Sequence, residues 1–315
     1  MDYKRIIKSR KARLYVLDLL SFIPDRLMLR IQYRMKLKRK LNLKNPERYT
    51  EKVQWYKLNY KNPLMVQCVD KYDVREFIRQ QGLEDILVKN YGVFERVEDI
   101  DFDSLPSKFV LKNTLGMGGN SVIICRNKSD LNIEETRSQI SEWLKPLHKN
   151  SGGREWPYYS GKKPRIIIEE LLEDDNPGGL IDYKFTCCNG RTACIFVLYD
   201  RALGNSAKMA TYDRDFNDLH ISEVAELVGE GVPKPEGYQE MLEIAEMLAK
   251  NFPLVRVDLY NVKGKTYFGE LTYYDESGYT QFVPDEFDFT LGSMFDLPEL
   301  MRNKSIRKEK RKRRV

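Results

Sequence analysis

The sequence predicts an α+β fold, and three kinds of stretch carry the prediction. Residues 251–272, NFPLVRVDLYNVKGKTYFGELT, set two runs rich in Val, Leu, Tyr and Phe on either side of Asn261-Val-Lys-Gly264, whose Asn and Gly supply turn chemistry for a β-hairpin. Residues 108–128, KFVLKNTLGMGGNSVIICRNK, read as strand, glycine-rich loop, strand. Residues 133–147 and 236–250 repeat apolar side chains at helical spacing, the second with Met241, Ile244, Ala245 and Leu248 inward. The hairpin carries Asp258 on one arm and Glu270 on the other, and period-two alternation puts Arg256 on the face of Asp258. Two carboxylates side by side on rigid strands can hold a hard cation next to a negatively charged ligand. An amphipathic surface hairpin with a solvated Asp and Glu is the alternative.

Composition bounds the function classes. At 315 residues the chain is one large or two ordinary domains, and its hydrophobic fraction of 42% is that of a globular protein. The formal net charge of +6 is concentrated in the first ~45 and last ~12 residues, which leaves the middle near neutral or acidic. Cys68, Cys125, Cys187, Cys188 and Cys194 have neither metal-ligand nor framework spacing, and the adjacent pair is poor geometry for a disulfide, which points to a reducing, cytoplasmic setting. With His148 and His220 the only histidines, a His-rich zinc site is not supported. No run approaches the ~20 apolar residues of a spanning helix, and the start has no signal-peptide pattern.

Residues 1–45 are expected to form a basic amphipathic helical arm. Lys and Arg interleave with Leu14, Val16, Leu17, Leu19, Leu20, Phe22 and Ile23, then with Leu27, Met28, Leu29 and Ile31, and Pro24 should divide the pattern into two pieces. Such an arm can pack its apolar stripe on the body, or lie on an anionic membrane surface where each nearby cation adds about 1 kcal/mol, with nucleic acid the least favoured partner. Residues 301–315 are expected to be a basic disordered tail.

In residues 46–107 an α/β entry domain is expected. Thr50 is suited to cap a helix with Val53, Tyr56 and Leu58 inward, and Pro63 begins another. Asp70-Lys71 opens a third, with Val74, Phe77 and Ile78, ending near Gly82. Lys71 and Arg75, four apart, would share a helical face that either serves a phosphate or, as favoured, forms a solvated stripe. Residues 86–88 and 91–94 suggest a strand.

In residues 108–128, Lys112 closes the first strand, and Gly116, Gly118 and Gly119 follow. Glycines let the backbone bend and present bare N–H groups to an anion while the Lys adds a point charge, so this is a phosphate cradle chemically, although neither a Walker A loop nor a dinucleotide fingerprint; a tight hairpin is the alternative. Further on, a buried-type strand at 165–168 delivers Glu169, Glu170, Leu171 and Leu172 to a connecting segment. A carboxylate followed by exposed backbone can read an adenine, the carboxylate accepting from the exocyclic amine. Asp182 and Lys184 share one face of the next strand. An acidic linker and an ordinary strand are the alternatives.

Taken in this order, EKVQWYKL, NPL…VDKYDVREF, FVLKNTLGMGGN, GREW, PRIIIEELLED, DYKF…NG, FPLVRVDLYNVKGKTYFGELTYY and FVPDEFDFTLG resemble the ATP-grasp superfamily, and specifically its TupA-like branch of teichuronopeptide biosynthesis. The resemblance spans about residues 46–295, outside the arm and tail. It implies an ATP-grasp fold with the nucleotide held between two α+β subdomains, a small lid at 108–200 and a C-terminal catalytic part at 201–300, after the entry domain. By motif, Lys71 and Lys112 would contact phosphates beneath the Gly116, Gly118 and Gly119 backbone, Glu169 would face the adenine amine, and Glu170 and the Leu171–Leu172 backbone would complete the base contact. Asp182 would take the ribose, Lys184 a terminal phosphate, and Arg256 the transferred phosphoryl or acyl oxygen; Asp258, Glu270 and Thr272 would ligate magnesium. The pattern departs from relatives at Thr272, where Asn is common, and at Glu170, where many have Lys.

The activity implied is ATP- and magnesium-dependent joining of a carboxylate to an amine through an acylphosphate, with a uronic acid of a bacterial surface polysaccharide and an amino acid as the implied substrates. A glycosyltransferase of the same pathway and a non-catalytic basic scaffold are the competing classes. The implied location is the cytoplasm, with peripheral attachment to the inner membrane face through the arm.

Overall fold

The computed structural model describes residues 15–17, 19–116, 121–146, 153–201, 207–222 and 229–298, and two antiparallel sheets organise them. In chain order the helices are α1 (Asp25–Leu37), α2 (Tyr49–Asn59), α3 (Pro63–Cys68), α4 (Val74–Gln80), α5 (Ile133–Trp143), α6 (Tyr238–Ala249) and α7 (Phe287–Met294). The strands are β1 (Asn90–Phe94), β2 (Phe109–Asn113), β3 (Val122–Cys125), β4 (Ile166–Glu169), β5 (Asp182–Cys188), β6 (Arg191–Tyr199), β7 (Lys208–Tyr212), β8 (Leu254–Val262) and β9 (Lys265–Thr272). The first sheet has the order β1-β4-β2-β3 and the second β7-β6-β5-β8-β9.

The expected lid of 108–200 is divided between these sheets, because β5 and β6 pair with β8 and β7 rather than with the glycine-loop strands. The first sheet ends at Glu169 and the second begins at Asp182. β4 is central, and its unbroken Ile166-Ile167-Ile168 run is what a strand buried on both faces requires. Ile166, Ile168, Phe109 and Leu111 form one core with Ile140 of α5 and with Ile100, Phe102 and Leu105. The second sheet lays one face on α6, whose Met241, Leu242, Ile244, Ala245, Leu248 and Ala249 are all buried. Burying those side chains stabilises the pairing by about 1.5–3 kcal/mol for each large one, before the entropy of ordering is subtracted.

The β8–β9 hairpin turns at Lys263 (φ 54°) and Gly264 (φ 82°), two left-handed residues as a type I′ connection demands. Asn261 is therefore the penultimate strand residue, and its Oδ1 accepts from the Gly264 N–H at 3.1 Å. A bulge lies further down the hairpin: Asp258 pairs with Glu270 and Leu259 with Phe268, so Gly269 is the extra residue. A Cβ on Gly269 would sit 2.9 Å from the Asp258 carbonyl oxygen, so only Gly fits there without a shift.

The second piece of the arm packs on the body. α1 starts directly after Pro24, buries Met28, and packs Leu29, Tyr33 and Leu37 against Leu41, Leu43 and Tyr279. The arm's first piece lies largely, and the 301–315 tail wholly, outside the described residues. Among the described residues no helix is long and apolar enough to cross a membrane. Thr50, expected as a cap, sits inside the first turn of α2, where Arg48 is the cap residue; its N–H and Oγ1 donate to buried Asp288 of α7 at 2.9 and 2.8 Å. Gly292 lets α7 approach this turn: a Cβ there would overlap the Glu47 carbonyl oxygen and lie 2.7 Å from the Tyr49 nitrogen. Gly292→Ala is therefore expected to destabilise by about 1–3 kcal/mol, as an overpacked contact against backbone does, read as a lower urea midpoint with an unchanged slope.

Candidate active site

One face of the second sheet is charged, and register explains how. Across β5, β8 and β9 the directly paired residues are Lys184 with Asp258, Asp258 with Glu270, and Arg256 with Thr272. Paired residues point to the same face, so the bulge at Gly269 matters: without the extra residue Asp258 would face Gly269, and Glu270 would turn to the α6 side. The opposite face carries Tyr183, Phe185, Val257, Leu259 and Leu271, all buried.

The charged face is tightly paired. Asp258, 2% exposed, accepts from Arg256 Nε and Nη2 at 2.7 Å each and from Lys184 Nζ at 2.7 Å. Lys184 also meets Asp182 at 2.6 Å, and Arg201 reaches the same Asp182 oxygen at 3.4 Å. Arg256 continues to Thr272 Oγ1 at 3.2 Å and to Asp275, which leaves its guanidinium a single uncommitted N–H. Burial alone would lower the Lys184 ammonium, but Asp258 and Asp182 hold it above its usual range. Burial and the nearby Asp258 push Asp182 up, against the pull of Lys184. Burial would raise Glu270, yet Lys71, Lys184 and Arg256 hold it at about 2.

Lys71 joins this face to the glycine-rich loop. Its Nζ donates to the Gly116 carbonyl at 2.8 Å and pairs with Glu270 at 2.9 Å, while its own N–H donates to the Thr114 carbonyl at 2.9 Å. Lys71 lies in the turn before α4, so it does not share a helical face with Arg75. The favoured solvated stripe is thereby corrected: Arg75 is buried and pairs with Glu169 at 3.1 Å and with the Val88 carbonyl at 2.8 Å. The helix start after Lys71 and the burial of Arg75, which neither face period nor spacing reveals, separate the two.

Glu169 closes β4 with both oxygens engaged, Oε1 by Arg75 and Oε2 by Lys112 at 2.7 Å. Glu170 is exposed, with its N–H bonded to the Lys89 carbonyl at 2.9 Å, and Leu171 and Leu172 are half-buried in the connecting segment. Gly118 and Gly119 lie outside the described residues. The structure thus gathers Lys71, Gly116, Lys184, Arg256, Asp258, Glu270, Thr272 and Asp182 into one set, and Lys112 and Glu169 into a second one on the first sheet.

Sequence reasoning missed Asp275. It lies just beyond β9, is buried, and clamps Arg256 from the side opposite Asp258. Glu276 and Ser277 after it hold left-handed backbone (φ 42° and 56°), a costly arrangement that bends the chain back toward Glu155. The Ser277 carbonyl accepts from buried Lys57 at 2.9 Å, as does the Gly153 carbonyl at 2.7 Å, and burial lowers that lysine to about 8. The GREW stretch and the turn after the hairpin were separate in the sequence; a carboxylate five residues past Glu270 was the one available signal.

The donor set fits a hard divalent cation. Lys71, Lys184, Arg201 and Arg256 balance four carboxylates, Asp182, Asp258, Glu270 and Asp275, so the fit rests on carboxylate oxygens that converge on one face and on Asp182 Oδ1, which is buried without a hydrogen-bond partner. Among the described residues no group of three or more His, Cys, Asp or Glu converges as a metal cage. Magnesium needs none when substrate phosphates supply the remaining oxygens.

A model of the TupA-like ATPgrasp family matches residues 51–296. No curated protein matches. Among solved structures the chain is similar to a D-alanine–D-alanine ligase from Bacillus anthracis complexed with ATP (16% identity, 78% of this chain and 68% of that one, TM-score 0.44). It is also similar to an L-amino acid ligase from Bacillus licheniformis (13%, 75% and 50%, TM-score 0.44) and to a RimK domain ATP-grasp protein from Sphaerobacter thermophilus (10%, 74% and 69%, TM-score 0.41). These three likenesses are too distant to bear on the chemistry of this chain.

Proposed function

The chain belongs to the TupA-like ATP-grasp family of ATP-dependent carboxylate–amine ligases, and we propose that it attaches an amino acid or similar amine to a uronic acid of a bacterial surface polysaccharide. The same proposal sets the reaction in the cytoplasm, with the chain attached peripherally to the inner face of the membrane through its basic arm. The observation that supports it most is Lys71, which reaches from the glycine-loop carbonyl of Gly116 to Glu270 and so brings a phosphate-type loop and a metal-type carboxylate within one side chain of each other.

In this reading a substrate carboxylate oxygen attacks the γ-phosphorus of ATP and ADP departs, giving an acylphosphate; the amine nitrogen then attacks the acyl carbon, loses a proton, and inorganic phosphate departs. Anion meets anion in the first step, and Lys71, Lys112 and Lys184 would neutralise the phosphates once they release their present carboxylate partners. The Gly116 segment would cover the phosphates and keep water from the acylphosphate. Asp182 would receive the ribose. Glu169 would read the adenine amine only through lone pairs left over by Arg75 and Lys112, with the Leu171–Leu172 backbone on the ring edge and Glu170 outside it. Asp258 and Glu270, with Thr272 as a weak third donor, would hold magnesium, which supplies charge neutralisation at the transferred phosphoryl group. Arg256 would steady the oxyanion of the second step with its remaining N–H.

The test is ADP release in the presence of magnesium. Release is expected to require a uronic acid and an amine together, and hydroxylamine in place of the amine is expected to trap the acyl group as a hydroxamate. ADP release that ignores the carboxylate would overturn the reading. Lys112→Ala is expected to raise the KM for ATP about 10- to 100-fold, the value of one charge-assisted hydrogen bond, with Glu169 still held by Arg75. An unchanged KM would remove Lys112 from the nucleotide site.

A further inference from the structure

We propose that the outward face of α1 is a preformed docking surface for an anionic lipid bilayer. This deepens the membrane attachment above and does not rest on the ligase chemistry. α1 has two apolar stripes, and the body uses only one: Met28, Leu29, Tyr33 and Leu37 are buried, whereas Leu27, Ile31 and Met35 are 51%, 40% and 44% exposed. Spaced four apart, those three stack in a single row on the helix surface. Leu19 and Phe22, 58% and 78% exposed, add apolar surface just before the helix. Arg26, Arg30, Arg34 and Lys38 are spaced in the same way and run beside that row, all exposed.

Scattered exposed apolar residues need no explanation, but an unbroken row lying along a row of cations is the layout of a helix at a membrane interface. The apolar side chains reach the acyl boundary while the long basic ones lie at the level of the lipid phosphates. Charge selects the partner. No Asp or Glu occurs between residues 26 and 46, and Asp25, at the start of α1, is paired with Arg154 at 2.6 Å. A second copy of the chain on this face would oppose two rows of like charge.

The surface is fixed to the body. Tyr33 Oη lies 2.8 Å from Thr50 Oγ1, Tyr279 Oη donates to Gln32 at 2.7 Å, and Arg154 donates to the Leu20 and Ile23 carbonyls at 3.1 Å each. Glu155, next to Arg154, bonds Ser277 beside Asp275, the partner of Arg256. Docking through α1 would therefore hold the charged face of the second sheet in a set position relative to the lipid.

The experiment is flotation of the full chain with vesicles of phosphatidylcholine alone or with about one third phosphatidylglycerol, at low and high salt. Binding is expected only with phosphatidylglycerol, weakening as salt rises. Arg30→Gln with Arg34→Gln is expected to lower the partition coefficient about 30-fold, each interfacial cation being worth roughly a factor of five. Ile31→Ser with Met35→Ser is expected to weaken binding at high salt as well, where charge is screened. Both pairs should keep the native melting temperature and ADP release on soluble substrates, which separates this test from that of the ligase reading. The proposal is overturned by native-like vesicle binding of both pairs, by equal binding to neutral vesicles, by RNA binding that the Arg pair abolishes while vesicle binding persists, or by a concentration-dependent dimer that the Ile31 and Met35 changes dissolve.

Discussion

Glu270→Gln is expected to lower magnesium-dependent ADP release by about three orders of magnitude while the protein stays folded, because several kcal/mol of charge stabilisation at the phosphoryl group would be lost with one carboxylate. The substitution keeps the shape and removes only the charge, and that charge is secure: with Glu270 held at about 2, protonation does not disarm it anywhere near neutral pH. Its side chain is 36% exposed, so the lost pairing with Lys71 is a screened one and costs about 1 kcal/mol or less of stability. The sign of the pH dependence follows from the lowered value. The stabilisation from ionised Glu270 is fully present above its ordinary value of 4.5 and fades as pH falls toward about 2, so native and variant melting temperatures should converge in acid. Loss of ADP release at high magnesium, with converging melting curves, is the expected pair of results. Retained ADP release would show that Glu270 is only the anchor of Lys71.

What the sequence disclosed of this site was local. The alternation of β8 and β9, the strand–loop–strand around Lys112, and the inward Met241, Ile244, Ala245 and Leu248 of α6 each follow from periods of two or 3.6 residues within one segment. Non-local facts were out of reach. Strand period tells which residues share a face but not which sheet receives the strand, so β5 and β6 were expected beside the glycine loop. A bulge leaves only a Gly as its trace, and it is Gly269 that decides that Glu270 meets Asp258. The partners of Arg75 and Arg256 are farther still: Glu169 is 94 positions from Arg75 along the chain, and Asp275 is 19 from Arg256. A lone basic residue on a helix is usually solvated, and only burial shows that Arg75 is committed to a carboxylate.

Arg256→Met is expected to cost about 3–5 kcal/mol, because it strips the shared cation from Asp258 and Asp275, both buried, and an uncompensated buried charge is far more expensive than a lost surface pair. For a chain of this size that is a fall of roughly 5–8 °C in melting temperature. The loss should be partly recovered when Asp275→Asn is added, since the second carboxylate then no longer needs a partner, and the coupling measured in that cycle isolates the Arg256–Asp275 pair. Arg256→Lys separates structure from chemistry. An ammonium restores one positive charge and most of the stability, but it cannot span Asp258, Thr272 and Asp275 at once, so it cannot hold a donor in a fixed direction. If that remaining N–H steadies an oxyanion, the Lys variant should melt near the native temperature and still lose about 10²- to 10³-fold in kcat. Activity of the Lys variant within a few-fold of native would mean that Arg256 only balances its two carboxylates, and the oxyanion role would pass to another donor on that face.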